Sequence, residues 1–227
     1  MKNLLSFFIV TALLTTILHG SEPAKFNTQW IPAKPEVSTY RSKGNQGEGL
    51  YQVSISRRDS LIEVYVNMIS PGFTKTVSGT MTFDMRPLQS TAKIIVNNQV
   101  MMDTKCLYES NRLAIKTVML PYNQTKSDSL TFVEPVIDFS QVPLLARTLE
   151  LEKGIEYRFT SLNPQTNVLI PLTMKVLGEV KMREVDCYKV EINDFEDKSI
   201  YWVEKGSRRR VMRVEQPESH RTTELLQ

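Results

Sequence analysis

The chain has 227 residues, 41% hydrophobic and 23% charged, with 9 Gly, 11 Pro, 2 Cys, 2 His and a formal charge of +3. That composition suits one domain of about 200 residues with a real core, and it excludes disorder, collagen, coiled coil and a disulfide scaffold. Basic residues number 28 against 25 acidic with neither sign gathered into a long block, so there is no electrostatic footprint for nucleic acid.

Met1 and Lys2 supply a short positive start, and LLSFFIVTALLTTIL over 4–18 is uncharged and apolar apart from Ser and Thr. His19, Gly20 and Ser21 precede a polar stretch, so residues 1–20 read as a secretory signal peptide cleaved after Gly20 or Ser21. An uncleaved anchor is the other reading, although about fifteen apolar residues fall short of the roughly 20 that span a bilayer. No Cys lies near the cleavage site to carry a lipid anchor, so the expectation is a soluble exported protein, periplasmic or extracellular.

Cleavage removes Lys2 and His19 and leaves 27 basic residues, 25 acidic ones and a single histidine, His220. A His-based metal site needs several imidazoles or a mixed Cys and His set, so neither a metal nor a cofactor is expected. His220 lies in PESHR near the end of the chain and reads as a solvated turn residue. With no G-x-S-x-G nucleophile motif either, the expectation is a protein that is not an enzyme.

Residues 21–37, with Pro32 and Pro35 and no sustained period, are expected as an extended arm, and 38–227 as one domain. From Tyr40 the dominant signal is period-two alternation with turn residues about every 10 positions, the all-β pattern. Strands are expected at 48–57, 61–69, 73–84, 93–96, 100–108, 114–120 and 129–133. On the second of these Ile62, Val64, Val66 and Met68 share one face. Residues 138–149 break the rhythm: Asp138 is a possible cap, Pro143 suits a first turn, and Val142, Leu145 and Leu149 repeat at helical spacing. Further strands follow at 156–161, 168–177, 179–182, 187–192, 199–204, 210–215 and 222–226, with Lys205-Gly206-Ser207 as a hairpin turn. The fold class is therefore mainly β: a single large curved antiparallel sheet, or half-barrel, with one short helix near 139–149. A sheet this large curls, and its concave face must be filled by side chains, a helix or a ligand.

The run DFSQVPLLARTLELEKGIEY (138–157) carries a helix, an Arg-x-Leu-x-Leu and a Gly-x-x-Tyr junction. With Gly178-Glu179-Val180, Val185 to Val190, Tyr201-Trp202-Val203 and Arg208 to Val214, it resembles an uncharacterised exported bacterial family of unknown function. The resemblance covers 138–226. It implies the half-barrel of the periplasmic lipoprotein carriers (LolA/LolB-like), a likeness of fold that does not hand over a cargo. The chain departs from the family pattern at Val185-Asp186-Cys187, where a small Gly-containing turn is usual.

Candidate ligand-binding residues are the aromatics Phe83, Tyr108, Phe159, Tyr188, Tyr201 and Trp202, with Met102 and Met174 among many strand methionines. Met adapts to irregular apolar partners such as acyl chains, and aromatics can line a cleft with polar tips at its rim. Core packing accounts for the same residues. Cys106 and Cys187, an even pair in an exported chain, are a possible disulfide. Arg208, Arg209 and Arg210 form a basic surface run suited to lipid head groups or a partner, or else a solvated hairpin tip. Glu150, Glu152 and Glu156 read as an exposed junction, and Asn123-Gln124-Thr125 is a glycosylation sequon. Charges on both faces of several strands and the non-aromatic end ELLQ weigh against an outer-membrane barrel.

The expected function is a non-catalytic cell-envelope protein that binds a hydrophobic ligand, a lipid or the acyl chain of a lipidated protein, in the concave face. The alternative is an envelope interaction module that docks a partner protein through a strand edge or the Arg-rich hairpin.

Overall fold

The computed structural model describes residues 24–45, 47–163, 167–193 and 198–226; the expected signal segment, 1–20, lies outside them. Eight strands come first: β1 (Glu36–Gly44), β2 (Gly47–Arg58), β3 (Leu61–Ser70), β4 (Phe73–Thr82), β5 (Pro87–Val96), β6 (Gln99–Glu109), β7 (Arg112–Met119) and β8 (Gln124–Thr131). After the short β9 (Val136–Ile137), a 3-10 turn (Phe139–Gln141) leads into the helix α1 (Val142–Thr148). The chain then forms β10 (Glu156–Asn163), β11 (Val168–Met182), β12 (Val185–Asn193), β13 (Lys198–Glu204), β14 (Val211–Gln216) and β15 (Arg221–Leu225).

All the strands belong to one open sheet in the order β8-β7-β6-β5-β4-β3-β2-β1-β15-β14-β13-β12-β11-β10-β9. Two meanders run outward from the centre and are joined there by β1 and β15, paired from Tyr40 with Leu225 to Lys43 with Thr222. Every pairing is antiparallel except that of β9 with β10. Tight turns use left-handed residues at Asn97 and Asn98 and again at Arg183 and Glu184, so that Val185, Asp186 and Cys187, where the family pattern has a glycine turn, begin β12.

Alternation sets what fills the concave side. Ile62, Val64 and Val66 of β3 are buried while Glu63 and Tyr65 are exposed, so each strand gives one face to the core. The other partner is the helix. Leu144, Leu145, Ala146 and Leu149 are all fully buried, and Arg147 and Thr148 are buried too, so α1 beyond its half-buried first turn is enclosed within the curl. Asp138 caps its lead-in through a capping box: the Asp138 carboxylate accepts from Ser140 N at 2.8 Å while Gln141 Oε1 accepts from Asp138 N at 2.6 Å.

Sequence and structure part in several places, β8 for one beginning at Gln124 and not at the expected 129. Residues 168–182 form one strand bent by an irregularity between Val176 and Gly178, not two strands. The fifth strand starts at Pro87, ahead of the expected 93. The arm is not simply extended: Thr28–Trp30 is a 3-10 turn, Ile31 is buried in the core, Asn27 N donates to Thr148 O at 2.6 Å, and β1 already begins at Glu36.

Candidate functional site

Where the two edges of the sheet approach, β6, β7 and β8 face β9, β10 and β11. Cys106, Tyr108, Leu113, Ile115 and Leu130 pack there against Val136, Leu162 and Leu169, and Asn167 Nδ2 donates to Asp128 Oδ2 at 2.6 Å. Beside this seam the concavity is not filled. A recess of about 1010 Å³ is bounded by Met85 of the β4–β5 turn, Leu88 at the start of β5, Tyr108, the crossing 132–137 (Phe132, Val136, Ile137), β10 (Tyr157, Phe159) and the arm (Phe26). Phe26 stacks on Phe159 at 6.2 Å between ring centroids, and Phe159 on Tyr157 at 6.3 Å, so an aromatic row forms one wall. Lys25, Asp84, Arg86, Glu134 and Arg158 are the charged residues of its lining. An apolar body with charged groups around it is the usual composition of a ligand cleft.

A buried polar network lies behind Tyr108. The Tyr108 hydroxyl donates to Asp138 Oδ2, and Ser90 Oγ donates to the same oxygen at 2.7 Å. Asp138 is 1% exposed. Burial pushes its carboxyl above the usual carboxylate range, while the donors from Ser140, Tyr108 and Ser90 pull the other way. Burial and the adjacent Asp138 likewise push the Tyr108 phenol up. Gln141, fully buried, donates to Met85 O at 2.6 Å, tying the β4–β5 turn to the lead-in of the helix. The network thus positions two walls of the recess.

The third wall depends on two arginines. Arg147, 3% exposed, donates to Glu36 Oε1 at 2.6 Å, to Arg208 O at 2.7 Å and to Trp30 O at 3.3 Å. Arg209 donates to Leu149 O at 2.6 Å at the end of α1, and its guanidinium lies 3.5 Å from the centroid of the Trp30 ring. Together they pin the arm, and with it Phe26, onto the helix.

This corrects the expectation of a basic surface. Arg209 is buried, with its guanidinium pushed below its usual range by burial, and Arg210 is half-buried in a fork on Glu204. Arg208 alone of the three is exposed. The hairpin folds inward because Arg209 takes a left-handed backbone after Gly206 and the β13–β14 register shifts at Val203. The disulfide is corrected as well. Cys106 and Cys187 are both free and buried, on β6 and β12, with β5 to β1 and β15 to β13 between them in the sheet. Burial pushes the Cys106 thiol up to about 12.

Of the expected ligand-binding residues, Tyr108 and Phe159 meet in the recess. Tyr201 lines a separate, smaller cavity. Tyr188 packs against the core with the cations of Lys205 and Arg209 over its ring, at 5.2 and 5.6 Å. Met174 is fully buried core, as the packing reading had it, and Met102 is half-buried beside Ile94 and Met119. Phe83 lies in the exposed β4–β5 turn under Arg57, at 5.3 Å. Trp202 is on the outer face, level with Lys189 and Arg213, whose charges lie 5.5 and 5.3 Å from its ring; the next register set, Val190, Tyr201 and Val214, carries the core face. Trp202, Phe83, Met102 and Met174 therefore do not line the recess. Met85, one of the methionines weighed as a lipid lining, is in the recess, and the residues that sequence reasoning missed are Phe26, Leu88, Phe132 and Tyr157. Phe26 and Trp30, the two aromatics of the arm, were the available signal.

His220 sits in the β14–β15 turn, exposed and left-handed, with Nδ1 2.7 Å from Pro217 O. Among the described residues no helix is long and apolar enough to cross a membrane.

The fold is similar to the crystal structure of a β-barrel-like protein of a domain of unknown function, DUF1849, from Brucella abortus. The TM-score is 0.61 at 9% identity, over 87% of this chain and 98% of that one. At that identity the likeness is one of fold, and it extends well beyond the 138–226 stretch that carried the sequence resemblance. No family model matches the chain, and no curated protein matches it.

Proposed function

We propose that this protein is an exported, non-catalytic envelope protein that holds a hydrophobic ligand, a lipid or the acyl chain of a lipidated protein, in the recess beside the seam. The observation that carries the reading is the recess itself: about 1010 Å³ left open beside the seam, in a concavity whose centre is occupied by α1. Its wall of Phe26, Tyr157 and Phe159 continues into Met85, Leu88 and Val136, which suits a flexible alkyl chain. Export rests on the signal-like residues 1–20. The non-catalytic character rests on the one remaining histidine being held in a turn. The alternative, a partner docked on the Arg-rich hairpin, loses its surface because Arg209 and Arg210 are occupied internally; the exposed polar edge strand β8 is what remains for it.

The test is native mass spectrometry of the full chain recovered from an exporting host, followed by titration of the delipidated protein with cis-parinarate. We expect lipid adducts and saturable binding that Leu88→Asp weakens by at least about tenfold while Trp202→Ala on the outer face leaves it unchanged. Absence of adducts together with non-saturable fluorescence, or equal loss in both variants, would overturn the reading.

A further inference from the structure

The outer face of β5 to β8 carries an open groove of about 580 Å³. Alternation turns Thr91, Lys105, Lys116 and Ser127 outward in one cross-strand row, with Leu107 and Ala114 side by side in the next, and all six are exposed. Arg112, also in the lining, donates from Nε to Ser129 Oγ at 2.9 Å, which leaves its terminal nitrogens available.

Lys105 and Lys116 stand directly opposite each other, with Cβ atoms about 5 Å apart in that arrangement, where like charges are destabilising. Everywhere else among the described strand pairs, charged residues set opposite each other differ in sign, as Lys43 with Glu48, Lys93 with Asp103 and Lys175 with Glu191. Neither lysine has an ion-pair partner among the described residues, and the nearby acids are already engaged or turned away. Asp103, two positions before Lys105, pairs with Lys93 at 3.5 Å. Asp128 shares the inward side of β8 with Leu130, and there its carboxylate accepts from Asn167 at 2.6 Å and pairs with Lys126 at 3.0 Å. Glu109, opposite Arg112, lies outside the lining. Two adjacent ammonium groups match a dianion, and the guanidinium and the hydroxyls of Thr91 and Ser127 offer further donors to its oxygens. A carboxylate, with one charge and two oxygens, would leave the pair half compensated. The groove is larger than a bare phosphate, and Leu107, 49% exposed, and Ala114 give the remainder an apolar floor.

We propose that this groove binds a phosphate monoester, its dianionic phosphate between Lys105 Nζ and Lys116 Nζ and its carbon portion over Leu107 and Ala114. The site lies outside the concavity and does not rest on the function proposed for the recess. The full chain is titrated with glycerol 3-phosphate while the backbone amides of Thr91, Ala114, Lys116 and Ser127 are followed by NMR. It is also sedimented with phosphatidylcholine vesicles that contain phosphatidic acid, a monoester, or phosphatidylglycerol, a diester, at equal surface charge. Saturable shifts at those amides identify a soluble ester as a ligand, and preference for phosphatidic acid identifies a lipid head group. Either response should weaken at least about tenfold in Lys116→Gln and persist in Lys181→Gln on the other half of the sheet. Lys116→Gln removes a repulsion at an exposed position, so the thermal midpoint of the ester-free variant should be no lower than that of the unaltered chain. Absence of both responses, a response that Lys116→Gln leaves intact, or a midpoint lowered by that substitution would overturn the proposal.

Discussion

Asp138 is buried with no cation beside it among the described residues, held by three donors that include a phenol and a serine hydroxyl. Its carboxyl is pushed up in the folded state, relative to about 3.9 in an unfolded chain. The stabilising contribution of this group is therefore full below about pH 4 and is lost as pH rises through the folded value. Asp138→Asn should remove that dependence while Asn Oδ1 keeps the bond from Ser140 N. The difference in unfolding free energy between wild type and variant, followed by denaturant titration from pH 4 to 8, is expected to shift in favour of the variant as pH rises; a flat difference would assign the carboxylate a normal titration. Tyr108→Phe keeps the ring in the recess but removes a donor to a buried acceptor. It should cost about 1.5–3 kcal/mol, measured in the same way, and it should raise the Asp138 carboxyl further.

At the scale of elements, the seat of the helix lead-in depends on a missing side chain. A Cβ on Gly79 of β4 would lie 2.0 Å from Ser140 Oγ and 2.7 Å from Ser140 Cβ. Gly79→Ala is expected to destabilise by about 1–3 kcal/mol through overpacking. Ser140→Gly clears both atoms, so the double variant should recover part of that loss, a coupling readable in a double-mutant cycle; additive losses would mean that Gly79 acts by some route other than this contact. Leu145, fully buried between sheet and helix, should cost about 2–5 kcal/mol as Leu145→Ala.

At the scale of the molecule, the first and last strands close the structure. β1 and β15 meet after a separation of some 180 residues and join meanders that otherwise pair only with themselves. The core nonetheless draws on both, since Val64 and Val77 share one cluster with Val190 and Val203. Deleting residues 221–227 should therefore leave neither meander folded alone. The expected outcome is loss of the single cooperative transition and exposure of two central edges, seen as aggregation in size-exclusion chromatography; a truncated chain that stays monomeric and melts cooperatively would contradict it. Pairing over that distance also predicts slow refolding, milliseconds to seconds or longer, by stopped flow.

Alternation and turn chemistry determined most of the strands, the curvature that follows from their number, and the helix after Asp138, because these signals are local and repeat over each element. Tyr108 and Phe159 were legible as aromatics on alternating strands. What the tertiary structure alone decided was which way the irregular places turn. The left-handed backbone at Arg209 and the register shift before Val203 sent a basic run inward, and the same stretch put Trp202 on the outside. A disulfide between Cys106 and Cys187 depended on strand order, and the pairing of β1 with β15 set eight strands between them. The recess likewise depended on where the two sheet edges meet and on an arm whose docking comes from Arg147 and Arg209, contacts made across more than 60 and 100 residues of chain. Local periodicity carries no information about contacts at that range, so the sequence could say that the sheet has an inside, and only the folded chain could say what was left unfilled there.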